Sequence, residues 1–176
     1  MKYLLTNQET ERLYFREVMP ADVDQWMPFF TDPRTHLYWP EGRGKPEEEC
    51  KKWYEKQHYR HLNDLGGMNA LIEKASGALV GHAGLLVQEV DGQTELEVAY
   101  SLLPAYWHRG YAIEAAMKCK AFAFAMDFAP SLISIISITN LPSQKVAVKN
   151  GMHIEKQTVY KGIPVYIFRI VNSPEK

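Results

Sequence analysis

Cysteine is scarce. The 176 residues hold two, Cys50 and Cys119, far apart and in neither a C-x-x-C nor a Cys/His spacing, which excludes a disulfide framework and a zinc ribbon. An excess of one charge is also missing. Twenty Lys and Arg stand against 21 Asp and Glu for a net charge of -1, so no overall field draws the chain to nucleic acid or an anionic membrane. No apolar run approaches the roughly 20 residues of a membrane span, and the start, Met1 to Glu9, turns polar too early for a signal-peptide core. A cytoplasmic protein without membrane or nucleic-acid partners is expected. The six histidines are scattered. His58 and His61 are three apart on a predicted helix but lack a third ligand, so no metal is expected. Linkers, low-complexity tracts, repeats, G-x-G-x-x-G and G-x-x-x-x-G-K-[ST] are all absent, which disfavours Rossmann and P-loop nucleotide sites.

What is present is an ordinary globular composition, 46% hydrophobic and 23% charged, at a length that suits one domain over residues 1–176. Leu13 and Phe15 alternate with polar neighbours as a first strand. Pro20-Ala21-Asp22 opens a helix with Trp26, Phe29 and Phe30 on its apolar face, and Asp32-Pro33 stops it. His36 to Gly44 reads as a loop. Pro46-Glu47-Glu48-Glu49 starts a helix of about five turns that carries Cys50, Trp53, Tyr54, Gln57, His61 and Leu65 on one face up to Gly66-Gly67. From Asn69 the period changes to two, with turns at Ser76-Gly77 and Asp91-Gly92 and a third strand from Glu95 to Leu103, an antiparallel meander. A helix from about Gly110 to Asp127, a strand from Leu132 to Ile138, a short helix from Pro142 to Asn150 and a hairpin turning at Lys161-Gly162 complete the chain. The order is β-α-α-β-β-β-α-β-α-β-β, an α/β (α+β) fold.

The stretch Leu103-Pro104-Ala105-Tyr106-Trp107-His108-Arg109-Gly110-Tyr111-Ala112-Ile113-Glu114-Ala115 carries the most chemistry. A strand ends, a tight turn with one glycine follows, and a helix with small residues in its first turn begins. Such a turn presents unpaired backbone N–H groups at a positive helix end, which suits a pyrophosphate. The spacing alone reads equally well as a glycine cap.

Taken with Thr10-Glu11-Arg12-Leu13 and Arg16, Val80-Gly81-His82-Ala83-Gly84, Glu97-Val98-Ala99-Tyr100, and Asn140-Leu141-Pro142-Ser143 followed by Gly151-Met152, this stretch resembles the GNAT N-acetyltransferases, in the RimJ/RimL-type branch. The resemblance covers nearly the whole chain. It implies a GNAT fold with a central mixed, mostly antiparallel sheet of about seven strands, and acetyl-CoA as the acetyl donor. The family's [Q/R]xxGx[G/A] motif falls on Trp107, Gly110 and Ala112. By the resemblance, His108, Arg109, Gly110, Tyr111, Ala112 and Ile113 would hold the pyrophosphate, and Leu102 and Leu103, at the end of a strand splayed from its neighbour, would border the pantetheine arm. Asn140 would contact that arm, and Ser143 would lie near the thioester sulfur. Read without the family, Asn140 and Ser143 form a loop and helix-cap pair. Lys145 and Lys149 share a helix face that is normally just solvated; in this family one of them would approach the 3′-phosphate.

Acetyl transfer to an amine needs a neutral nucleophile, an oxyanion contact and a proton for the thiolate. Glu97 falls on the family's acidic position and is the expected general base, through water; the alternative is that Glu95 and Glu97 are solvated carboxylates on an exposed sheet face. Many members carry a tyrosine four residues after the position of Ser143, where this chain has Ala147, which leaves Ser143 or solvent to serve the leaving group. The acceptor is expected on the side covered by the first helices and the loop between them, at His36, Tyr38 and Trp39, whose rings would hold a cation, and Glu41, which would pair with a charged amine. A small-molecule amine or a protein N-terminus fits, and the chain is compatible with a homodimer. The rival expectation is a catalytically inactive acyl-CoA-binding regulatory module.

Overall fold

The alternating strand residues Leu13 and Phe15 are fully buried and start the sheet as β1 (Leu13–Arg16). The computed structural model describes residues 2–39 and 44–173 of the chain. Asp22, buried at the end of a 3-10 turn over Pro20–Asp22, takes two bonds from the Arg16 guanidinium and one from the Met19 amide. The helix expected from Pro20 therefore begins a turn later, as α1 (Val23–Thr31). Asp32 ends it, and its carboxylate caps a second 3-10 turn, Pro33–His36, within the segment read as loop. Next comes α2 (Pro46–Leu62), with three glutamates in its first turn complementing the helix dipole.

Gly66 and Gly67 were expected to end the helix, yet they open β2 (Gly66–Glu73). Gly66 has φ +68°, and a Cβ there would stand 1.9 Å from the Leu85 carbonyl oxygen, so the glycine serves close strand approach rather than a helix stop. The meander continues through β3 (Leu79–Val90) and β4 (Gln93–Leu102). Then follow α3 (Tyr111–Ala125), β5 (Ser131–Ser137), α4 (Leu141–Lys149), β6 (His153–Tyr160) and β7 (Ile163–Val171). The element order is the one expected from the sequence.

The seven strands form one sheet in the order β1-β2-β3-β4-β5-β7-β6. Every neighbouring pair is antiparallel except β4 and β5, which run parallel and are registered at a single pair, Glu97 and Ile133. On one face, α3 packs Ala115, Ala116, Cys119 and Ala123 against Val80, Ala83, Leu85, Leu96, Val98 and Leu132. On the other, α1 and α2 bring Trp26 and Cys50 onto Ala70, Leu79 and Leu103. Small residues on α3 let it lie close to the sheet, so its N-terminus is held at the end of β4, beside the point where β4 and β5 part.

Candidate active site

Between β4 and α3 the chain turns twice through the left-handed region, at His108 (φ +61°) and at Gly110 (φ +82°), the N-cap of α3. Gly110 has no side chain to cap the helix, and the first amides of α3 have no intrahelical acceptors. The turn is clamped from below. Arg12 donates to the Arg109 carbonyl at 2.8 Å and lies over the Tyr111 ring at 4.3 Å. Glu114, one turn into α3, accepts from Thr10 Oγ1, the Arg12 amide and Arg12 Nε at 2.5, 2.9 and 2.6 Å. Burial opposes the Glu114 charge, but those bonds outweigh it and hold the carboxyl below its ordinary range. The Tyr111 hydroxyl is tied to Glu73 on β2.

After Glu97 and Ile133 the parallel strands separate, and side chains replace the missing ladder. Glu97, 8% exposed, accepts from the Gln88 amide group at 2.7 Å and the Ile135 N–H at 3.4 Å. Burial pushes its carboxyl above the ordinary range, against those two bonds and the Arg60 charge. Ser134 gives its hydroxyl to the Val98 carbonyl at 2.7 Å, and the Trp107 indole gives its N–H to the Leu102 carbonyl at 2.9 Å. By the two-residue period of a strand, the backbone polar groups of Tyr100 lie on the same edge, between those two carbonyls, and face the split. Neither expected carboxylate is solvated, since Glu95 is ion-paired with Arg169 at 2.6 Å.

Asn140 caps α4, its side chain accepting the Ser143 N–H at 3.2 Å. Ser143 is reached from across the split by Tyr100, whose hydroxyl lies 2.9 Å from Ser143 Oγ and donates to the Ser143 carbonyl at 3.1 Å. Burial pushes the Tyr100 phenol up to about 12, opposed by the Ser143 bond, so it stays neutral. Ala147 points away, into a core of Ile136, Met152 and Phe168.

One cavity of about 730 Å³ joins the turn, the end of β4 and the Tyr100–Ser143 pair, within the range of small-molecule sites; Glu97, the expected general base, is not among the residues that line it. Of the residues expected to bind acetyl-CoA, it is lined by Leu102, His108, Gly110, Tyr111, Ala112, Ile113, Asn140 and Ser143, and Lys145 and Lys149 also border it. Leu103 instead packs beneath α1 and α2, and the Arg109 guanidinium lies 5.4 Å from the Tyr106 ring. Of the acceptor candidates, Tyr38 and Trp39 line the cavity, whereas His36 is bonded to the Phe30 carbonyl and packed edge-on to Phe29. Glu41 lies outside the described residues. Among the described residues no group of three His, Cys, Asp or Glu could hold a metal.

Two lining residues carry a role that the sequence did not suggest. Arg34 stands over the Trp107 ring at 5.3 Å, held by Asp32, and only its position between two aromatic segments hinted at that. Tyr100 belongs to a quoted motif, but nothing in the sequence paired it with Ser143.

Residues 12–153 match the family model described as "Acetyltransferase (GNAT) domain". The chain is 28% identical over 169 residues to the uncharacterized protein YkkB of Bacillus subtilis (strain 168), covering 93% of this chain and 94% of YkkB. Among solved structures it superposes on an acetyltransferase from Agrobacterium tumefaciens str. C58 with a TM-score of 0.79 at 21% identity, covering 97% and 96% of the two chains. It also superposes on RimL, a ribosomal L7/L12 alpha-N-protein acetyltransferase in complex with coenzyme A, with a TM-score of 0.75 at 14% identity over 94% and 97%.

Proposed function

Because the chain belongs to the GNAT acetyltransferase domain family, we propose that it moves an acetyl group from acetyl-CoA to a primary amine, small-molecule or protein N-terminal, by direct attack in a ternary complex. The observation that carries this reading is the union, in one cavity, of an uncapped helix N-terminus behind the left-handed Gly110 and the split between β4 and β5. The coenzyme A held by RimL, whose fold this chain shares, supports the same co-substrate here.

The amides of Tyr111, Ala112 and Ile113 take the pyrophosphate, and the free backbone edge at Tyr100 pairs with the amide-rich pantetheine as an added strand would. Lys145 and Lys149 supply cations at the rim. The acetyl thioester then reaches the split beside Ser143. An amine entering past Tyr38 and Trp39 attacks the carbonyl carbon, its C–N bond forms, and the C–S bond breaks. The amine attacks as the free base, and Glu97 takes through water the proton that the nitrogen sheds on becoming the amide; its raised pKa suits that task. The thiolate, a weak base, needs only a hydrogen bond while it leaves. Ser143 gives it once the Tyr100 proton turns from the Ser143 carbonyl to Ser143 Oγ, so that Tyr100, too weak an acid to surrender that proton, holds the Ser143 hydroxyl in place.

Incubation with acetyl-CoA and a panel of amines tests the reading. Release of free thiol together with the acetylated amine is expected. No release with any amine overturns the enzymatic reading, and an acetyl group trapped on the protein overturns direct attack.

A further inference from the structure

Beyond the cavity wall, on the α1 and α2 side of the split, three cations gather with little to neutralise them. Arg60 is 7% exposed, and its guanidinium donates to the Leu65 and Val87 carbonyls and to Gln88 Oε1, at 3.0, 3.0 and 2.9 Å. Its Nε is buried and has no partner. Lys56 stands one turn earlier on the same face of α2. The Tyr160 hydroxyl also reaches Gln88 Oε1, at 3.2 Å, which brings the β6–β7 turn, with Lys161, onto the same spot.

Among the described residues, none of Lys56, Arg60 and Lys161 is in an ion pair. The carboxylates nearby are committed elsewhere: Glu95 and Glu155 to Arg169, and Asp91 to Lys156. Among the described residues, Glu97 faces the group, through Gln88. Lys56 and Lys161 are exposed at the surface, and desolvation by the surrounding protein, with the charges of Lys161 and Arg60 behind it, brings the Lys56 ammonium down to about 8. The group also adjoins the path of the acceptor. The Trp39 ring, a wall of the cavity, meets the Tyr160 ring edge-on at 6.4 Å between centroids.

From this cluster we infer that the acceptor amine carries an anionic group, a carboxylate or a phosphate, which Lys56, Lys161 and Arg60 hold while the nitrogen lies at the β4–β5 split. The inference rests on the acetyl-transfer reading and narrows its acceptor. A diamine or polyamine would put a second ammonium against three cations, which disfavours it. An anion there would relieve the Lys56–Lys161 repulsion.

The test compares chain-matched amines at saturating acetyl-CoA: 4-aminobutyrate against 1,4-diaminobutane for the carboxylate, and O-phosphoethanolamine against ethanolamine for the phosphate. The anionic member of at least one pair should show a kcat/KM higher by about tenfold or more. Lys56→Gln with Lys161→Gln should erase that advantage and leave the KM for acetyl-CoA unchanged. Faster turnover of both cationic or neutral members, or an advantage that survives in the variant, overturns the inference while acetyl transfer stands. A second readout needs no turnover. Glutarate and inorganic phosphate, titrated into the coenzyme A-loaded protein, should shift the side-chain NMR signals of Lys56 and Lys161, and unmoved signals count against the inference. Failure of coenzyme A itself to bind in calorimetry would instead sink the acetyl-transfer reading.

Discussion

Arg12 and Glu114 lock the turn at the start of α3 without lining the cavity. Glu114 accepts from the Arg12 amide and from its Nε, and the guanidinium so oriented takes the Arg109 carbonyl. The carbonyl side of the turn is thereby engaged on the β1 side, which leaves the amides of α3 to the cavity. An interaction between the segment leading into β1 and α3 thus shapes a site that neither residue touches.

Arg12→Ala should therefore weaken coenzyme A binding although Arg12 lies beneath the site. A loss of about tenfold in affinity, ~1.4 kcal/mol, is expected for one disordered turn. Calorimetry measures it, and kcat at saturating acetyl-CoA should change less than the KM for acetyl-CoA. Unchanged affinity would reduce the clamp to a surface contact.

Gly110→Val acts at the turn itself. The residue has φ +82°, and a Cβ would already meet Arg12 Nη2 at 3.2 Å, so a β-branched side chain both strains the backbone and fills the phosphate approach. Coenzyme A binding should vanish while the fold, read by circular dichroism, persists. Retained affinity would move the pyrophosphate elsewhere.

Glu97→Gln separates chemistry from structure. Glutamine can still accept the Ile135 N–H, although its own amide nitrogen then faces the Gln88 amide nitrogen and that one bond is lost. Turnover near neutral pH should fall, and the acidic limb of the pH–rate profile should flatten, with the KM for acetyl-CoA unchanged. The stability effect has the opposite sign. Burial raises the folded-state pKa of Glu97, so wild-type stability is full below the unfolded value and falls as pH rises through the folded one. The variant should lack that fall. A profile and a stability curve that both match wild type would leave Glu97 as a strand wedge only.

The order of elements was legible because periodicity and turn chemistry act locally. Leu13 and Phe15 alternate, Asp91-Gly92 marks a hairpin, and Pro46 with three glutamates marks a helix start. The chemistry-bearing stretch from Leu103 to Ala115 was legible for the same reason, since one run holds the strand end, the left-handed glycine and the helix start. What stayed hidden depends on register. Gly66 and Gly67 mark a helix end until β3 is seen passing against them, and the alternative to Glu97 as general base, a solvated surface carboxylate, falls only when the strands are seen to part beneath it. The Tyr100–Ser143 bond and the cations of α2 and the β6–β7 turn join residues far apart in sequence, and no local pattern encodes such pairs.

Tyr100→Phe removes one hydroxyl and keeps the ring. With Tyr100 positioning Ser143, kcat should drop by about tenfold, ~1.4 kcal/mol, with little change in the KM for acetyl-CoA. Ser143→Ala should cost a similar amount, and the double variant should cost little more than either, because both act through one hydrogen bond to the leaving sulfur. Additive losses would mean that the two hydroxyls serve separate steps. A drop in melting temperature without a change in kcat would make the bond purely structural.

His82 gives the fold an acid sensitivity of its own. It is fully buried between Trp26 and Trp53, with ring centroids 4.3 and 4.5 Å away, and both of its ring nitrogens lack partners. Burial lowers its pKa to about 3 from 6.5, despite the nearby Asp22 charge. A base held neutral in the folded state contributes stability above its unfolded pKa and loses it as pH falls toward the folded one. Between pH 7 and pH 4 that loss is on the order of 3 kcal/mol for a shift of this size. His82→Phe keeps an aromatic ring between the two tryptophans and removes the titration. Urea midpoints measured across that range should fall more steeply for wild type than for the variant. Curves that decline in parallel would mean that the imidazole charges without opening the core, with water reaching nitrogens that the packing of α1 and α2 otherwise seals off.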